Sequence, residues 1–302
     1  MSLLPSTPPG KAPPASGLHG PELDAASFRR IAAIAHREAG LYIAPAKAAM
    51  VRTRLARRLR ALALPGFAAY CDMVEGAGGL AERGAMISAL TTNVSHFFRE
   101  AHHFDILRER LLPHLADKVR AGGRVRIWSA GCSNGQEPYS IAASLKDAGL
   151  SATQDVRILG TDIDPGVIAH ARRGRYPAHM MTGLSDDMRA RHFSPAPGGW
   201  QVSPDLAALV SFRTLNLLDD WPMRGAFDAI FCRNVVIYFD AETQARLWPR
   251  FAHHLAPEGW LFLGHSERVS PAAQAHFTSR GLTSYQRAGA IPAPARPEGR
   301  LA

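Results

Sequence analysis

Residues 129–140 read SAGCSNGQEPYS and follow directly on VRIW, an apolar run of strand type. Gly131 and Gly135 bracket a tight turn, and Glu137-Pro138 then opens a helical pattern, with proline suited to the first turn. A strand that runs through a glycine turn into a helix is the start of a βαβ unit. The spacing is Gly-x-x-x-Gly rather than the Gly-x-Gly-x-x-Gly of dinucleotide sites. Glycines at such a turn either admit a ligand against the backbone or only close the turn. A helix N-terminus here favours an anion, so an acid at Glu137 works against a phosphate and suits a cationic group.

Strand-like runs continue at VRILGTD (156–162), VSFRTLN (210–216), FDAIFCRN (227–234) and WLFLGH (260–265). Helical patterns separate most of them: EPYSIAASLKDA, DPGVIAHARRG and AETQARLWPRFAHHL. The alternation predicts an α/β fold, a Rossmann-like, mostly parallel sheet covered on both faces, with ligands outside the carboxyl ends of its strands. Segment 174–209 interrupts the pattern and reads as a small inserted β-subdomain. Before the sheet, residues 22–90 carry a helical period, with Ser27 as the expected cap of the first helix. Val51, Leu55, Leu59 and Leu62 form one buried stripe there. Residues 91–100 link this all-helical domain to the α/β domain at 101–288, whose first element is a helix over 101–121. Residues 1–21 hold six prolines and read as a flexible leader; 289–302 read as a flexible tail.

The 302 residues are 46% hydrophobic and 20% charged, ordinary for a globular protein. No apolar run reaches the roughly 20 residues of a membrane span, and the first residues lack the pattern of a secretory signal. Three widely spaced cysteines argue against a disulfide framework and for a reducing cytoplasm. The net charge of +9 has one concentrated source: six cations and no acid between Pro45 and Leu64. Arg54 and Arg58 share a helix face, with Arg57 and Arg60 close by. That face is either solvated or docks an acidic partner. His102-His103 and His253-His254 are adjacent pairs with no metal spacing, so no metal is expected.

GTDID (160–164) ends the second strand. An acid there accepts hydrogen bonds from ribose hydroxyls, which makes Asp162 the candidate and Asp164, before Pro165-Gly166, a helix cap; the alternative is that both only cap. A ribose acceptor, no pyrophosphate grip and a carboxylate facing a positive centre fit S-adenosylmethionine better than NAD. Asn234 and Tyr238 of FDAIFCRNVVIYFD (227–240) would lie over the strand ends, although a tyrosine in an apolar run is more often core.

Taken together, TTNVSHFFREAHHF, WSAGCSNGQEPYSIA, GTDIDPGVIAHARRGRY, LNLLD, FDAIFCRNVVIYFD and LFLGHSE resemble the chemotaxis protein methyltransferases, the CheR family, over about residues 25–288. The resemblance implies a helical N-terminal domain joined to a Rossmann-like methyltransferase domain with an inserted β-subdomain. It implies methyl transfer from S-adenosylmethionine to glutamate side chains of chemoreceptors, giving γ-glutamyl methyl esters and S-adenosylhomocysteine. Carried over by motif position, it implies cofactor contacts from Asn93, Ser95, Arg99, Glu137, Asp162, Asn216, Leu217, Asn234 and Val235, with Arg99 and Tyr238 beside the reacting centre. Gln136 stands where many relatives have glutamate.

A glutamate acceptor is already ionised at pH 7 and needs no general base. Alignment and exclusion of water then carry the reaction, with Arg99 positioning the carboxylate. The receptor reading makes Arg54, Arg57, Arg58 and Arg60 a docking face. Relatives that tether to a receptor's C-terminal pentapeptide use a glycine-containing loop of the β-subdomain. HFSPAPGGWQVS (192–203) is shorter and proline-rich, so docking without the tail is expected. A nucleic-acid methyltransferase would also use a basic helix, but RNVVIYF does not resemble the aromatic-proline loop that grips a flipped base. A binding module without turnover would not need Arg99, Glu137, Asp162, Asn234 and Tyr238 together. Nothing in the sequence demands more than a monomer, direct membrane insertion or a nucleic-acid partner.

Overall fold

The structure, a computed structural model, describes residues 21–289. The leader and the tail expected from the sequence lie outside that range, save for Pro21 and Gly289.

Four helices come first: α1 (Ala25–Ala39), α2 (Ala48–Ala61), α3 (Phe67–Glu75) and α4 (Leu80–Leu90). The cap of α1 is Asp24, not Ser27: its Oδ1 accepts from the N–H groups of Ala26 and Ser27 at 2.9 Å. Ser27 sits in the first turn and donates to Asp24 Oδ2 at 2.7 Å. Ile31, Ile34, Val51, Leu55, Leu59, Tyr70 and Met86 form the core of this domain.

The basic face of α2 divides. Arg54 donates to the carbonyls of Leu90 and Thr91 and to Thr92 Oγ1, closing the end of α4 and holding the start of the linker. Arg58 forks onto the Glu82 carboxylate, which also accepts from Tyr70 Oη at 2.9 Å. The acid absent from the α2 sequence comes from α4. Arg57 and Arg60 are exposed, with no side-chain partner among the described residues.

After residues 91–100, which form no regular element, α5 (Ala101–Ile106) and α6 (Leu112–Arg120) are joined by a π-helical turn at Leu107–Leu111. The single helix expected over 101–121 takes this turn just before Pro113, which has no N–H to return to the preceding turn. The α/β domain continues with β1 (Val125–Ala130), α7 (Gln136–Asp147), β2 (Val156–Asp162), α8 (Pro165–Arg173), β3 (Arg175–Tyr176), α9 (Asp186–His192), β4 (Phe193–Ala196), β5 (Gly199–Val202), α10 (Pro204–Ala208), β6 (Val210–Thr214), β7 (Phe227–Cys232), α11 (Ala241–His254), β8 (Leu255–Leu263), β9 (Phe277–Gly281) and β10 (Ser284–Arg287). The main sheet runs β6-β2-β1-β7-β8-β10-β9, parallel from β6 to β8, with β10 antiparallel to both neighbours.

Both faces of this sheet are covered, so its strands are apolar on both sides. Ile127, Phe231 and Phe262 enter one core, while Trp128, Ile230 and Leu261 enter the other. The insert is a separate antiparallel sheet, β3-β5-β4. No described helix is long and apolar enough to cross a membrane.

The linker is fastened at Phe97, which is 1% exposed. Its ring meets Tyr176 at 5.2 Å and Phe193 at 5.3 Å, both edge to face, so the insert holds the linker down. Phe97→Ala removes this anchor and is expected to cost about 3–5 kcal/mol. A clear drop in Tm on thermal denaturation is the expected result; an unchanged Tm would mean that the linker is held elsewhere.

Candidate active site

The order of the sheet reverses at β1, which lies between β2 and β7. In an open α/β sheet such a switch point leaves a crevice between the two loops that diverge from it. The loops here are Gly131–Gly135 after β1 and Arg233–Val236 after β7. They approach so closely that a Cβ on Gly131 (φ +82°) would sit 2.2 Å from Val235 Cγ2. Only glycine fits there.

Two adjoining clefts open at this point. One, of about 610 Å³ including its mouth, is lined by Asp162, Ile163, Asn216, Leu217, Val235 and Tyr238. The other, of about 450 Å³ likewise including its mouth, is lined by Ser95, Arg99, Cys132, Ser133, Glu137 and Arg233. Thr92, Gly131 and Asn234 wall both. The residues singled out in the sequence therefore divide, Arg99 and Tyr238 falling in different clefts.

Asn93 lines neither. Its side chain donates to Asp164 Oδ2 at 3.0 Å, and its carbonyl accepts from Ser133 Oγ at 3.1 Å. It fixes the linker to the loop after β1. Asp164 also caps α8 through Gly166 N at 2.7 Å. Asp162 is 8% exposed and accepts from Ser133 N at 2.8 Å and Asp164 N at 3.0 Å. Burial pushes its carboxyl above the ordinary range, against the pull of those N–H groups. Asn216 donates to Glu38 O at 2.8 Å, tying its loop to α1, and Tyr238 packs against the helical-domain core. Tyr42 N donates to Tyr238 O at 2.8 Å. The helical domain thus closes one side of the first cleft.

The second cleft is built on a residue that sequence reasoning passed over. Arg233, 6% exposed, donates to Glu137 Oε2 at 2.9 Å, lies 3.3 Å from Glu100 Oε2 and hydrogen-bonds the Arg99 carbonyl. Glu137 accepts a further bond from Ser129 Oγ at 2.7 Å. The guanidinium is shared between two carboxylates, and Glu137, the acid that lines the cleft, is the group available to a cationic ligand. The signal was available: a charge directly after the apolar strand FDAIFC lies where ligands sit. Arg99 donates to Val94 O at 3.0 Å, and its other donors have no partner among the described residues. Four non-glycine residues with positive φ cluster here: Phe98, Glu100, Ser133 and Asn234. Strained backbone of this kind concentrates at functional sites.

Glu100, His102 and His103 bring three potential ligand atoms within 4.8 Å. The Arg233 guanidinium faces the same Glu100 carboxylate, so a cation entering there would meet a fixed positive charge. Burial alone would raise Glu100, but Arg233 and the His265 N–H groups outweigh it and hold the carboxyl at about 2. Burial, and then Arg233, push His103 down to about 3.

Both groups are depressed below their unfolded values, near 4.5 for Glu100 and 6.5 for His103. Each therefore contributes stability above its unfolded value and loses it as pH falls towards its folded one. The His103 loss begins first and amounts to about 2 kcal/mol by pH 5. His103→Gln is expected to flatten the fall in Tm between pH 7 and pH 5. An identical slope in the variant would refute the assignment.

The residues suit S-adenosylmethionine on structural grounds: the Glu137 carboxylate for a cationic group in one cleft, Asp162 for ribose hydroxyls in the other, and a glycine turn that lets the two adjoin. The family model described as "CheR methyltransferase, all-alpha domain" matches residues 26–91, and "CheR methyltransferase, SAM binding domain" matches 93–286. The chain is 46% identical to a Rhizobium etli protein named "Probable chemotaxis protein methyltransferase", over 83% of this chain and 96% of that one. It is 44% identical to the chemotaxis protein methyltransferase of Salmonella typhimurium (87% and 90% covered) and 43% identical to that of Escherichia coli (87% and 91%). With a matching family model over each domain and relatives matched along nearly their whole length, the chain belongs to the CheR methyltransferase family, with an S-adenosylmethionine-binding domain behind an all-helical one.

Proposed function

We propose that the protein methylates glutamate side chains of bacterial chemoreceptors in the cytoplasm, acting as a monomer and yielding γ-glutamyl methyl esters and S-adenosylhomocysteine. The observation that carries this reading is Arg99 and Glu137 lining one cleft. An acid for a cationic group and an arginine with free donors for a carboxylate meet there.

S-Adenosylmethionine supplies an activated methyl on a sulfonium. In this reading Asp162 takes the ribose hydroxyls, Asn216, Leu217 and Val235 hold the adenine end, and Ser95, Glu137 and Asn234 hold the methionine end. Arg99 fixes the incoming glutamate carboxylate by charge-assisted hydrogen bonds, and Tyr238 orients it from the adjoining cleft. Neither needs to move a proton, because the acceptor is an anion at neutral pH. An arginine gripping the attacking oxygen too tightly would weaken the nucleophile, so its role is positioning.

Arg57 and Arg60 are the members of the basic face left for docking an acidic receptor surface, since Arg54 and Arg58 are engaged inside the domain. The β4–β5 connection is only Pro197-Gly198. So short a turn supports docking without a receptor tail.

Arg99→Ala is expected to lower methyl transfer to receptor fragments by about a hundredfold, with S-adenosylhomocysteine affinity falling much less. Base-labile label from tritiated cofactor reads the ester; near-normal turnover would remove Arg99 from the mechanism. Arg57→Glu combined with Arg60→Glu should raise the apparent KM for receptor and leave cofactor affinity alone, and a receptor-tail pentapeptide should show no saturable heat. An unchanged KM restores a solvated face, and tight peptide binding restores the tether.

A further inference from the structure

The turn that ends β8, Gly264–Glu267 (GHSE), walls neither cleft. It is nevertheless bonded to the loop that does. Glu267 is 3% exposed, and its Oε2 accepts from Gly264 N at 2.5 Å and from Asn234 N at 2.8 Å. Its Oε1 accepts from Ile237 N at 3.1 Å. A buried carboxylate is costly unless its lone pairs are filled, and here backbone N–H groups fill them without a cation. Two of the three come from the Asn234–Tyr238 loop, and Asn234 holds φ at +59°, a conformation that needs outside support.

The same turn packs on that loop from the strand side. A Cβ at Gly264 would lie 2.5 Å from Asn234 Nδ2 and 2.8 Å from Asn234 N, so no side chain fits between. Its next residue, His265, meets Glu100 Oε1 through N and Nδ1, both at 3.2 Å. One four-residue turn therefore ties down Asn234, one of the residues shared by both clefts, and the carboxylate that faces Arg233.

We propose that Glu267 is a positioning residue for methyl transfer: by accepting from Asn234 N and Ile237 N it holds the Asn234–Tyr238 loop against the Gly131 turn, setting the junction between the two clefts. The proposal rests on reading that junction as the place where the methyl passes. No side chain on the Asn234–Tyr238 loop supplies a carboxylate to its own N–H groups, so the loop's shape depends on an acid from the turn after β8.

Glu267→Gln keeps the volume but turns an NH₂ group against backbone donors on one side. S-Adenosylhomocysteine Kd should rise about tenfold, kcat should fall, and KM for receptor fragments should hold. Hydrogen exchange should quicken at the amides of 234–237 and stay unchanged in β1 and β7. A folded variant with Kd, kcat and exchange within about twofold of the parent overturns the proposal. Should Glu267→Gln not fold, Gly264→Ala tests the same contact by pushing a methyl into Asn234. The same pattern upholds the proposal, and parental kinetics there overturn it. Asp162→Ala separates the two readings. Lost product affinity in Asp162→Ala beside a parental Glu267→Gln overturns Glu267 alone. Parental affinity in both overturns the site as well.

Discussion

The buried guanidinium of Arg233 joins three pieces of chain that sequence places far apart: the linker through Glu100 and the Arg99 carbonyl, the first turn of α7 through Glu137, and the end of β7 that carries it. Each partner depends on the others. Without Arg233 two carboxylates would face each other with little water, and breaking a buried pair of this kind costs about 3–5 kcal/mol. Without the carboxylates, the guanidinium would be an uncompensated charge beside Phe104, whose ring it faces at 5.9 Å. The linker becomes a wall of the second cleft because this cluster and the Phe97 anchor hold it from two sides.

The first cleft depends on a different contact, between domains. Asn216 reaches the carbonyl of Glu38, the backbone of Tyr42 reaches Tyr238, and His36 pairs with Asp240 at 2.7 Å. The helical domain is thus part of the site rather than an appendage to it. Its basic helix is also partly committed to internal work. Arg54 ties the end of α4 to the linker, and Arg58 neutralises Glu82, whose side chain is only 10% exposed. A charge run that looks uniform along a sequence divides in space into cations that hold the fold and cations that face solvent.

Several features were legible because they are local. The glycine turn, the acid in the first turn of α7, the acid at the end of β2, the strand periodicity and the insert's break in that periodicity all follow from short windows. So does the family resemblance, which rests on motifs in order. The cap of α1 was misplaced by three positions because aspartate and serine are both good caps, and backbone geometry selects between them. The π-turn before Pro113 was not legible, since proline only forbids one hydrogen bond and does not say how the helix absorbs the loss.

By itself the sequence determined that a helical domain precedes a parallel α/β sheet, and that ligand chemistry lies at the ends of its strands. Periodicity and turn residues act over a few positions, and those are enough. Only the tertiary structure decided that Arg233 sits between Glu100 and Glu137, that Glu82 answers Arg58, that Asn93 holds Asp164 instead of lining a cleft, and that Glu267 accepts from the backbone of the Asn234 loop. These are contacts between residues 24 to 133 positions apart. A charge or amide in the chain advertises that it needs a partner, but which partner it finds is set by the packing of the sheet.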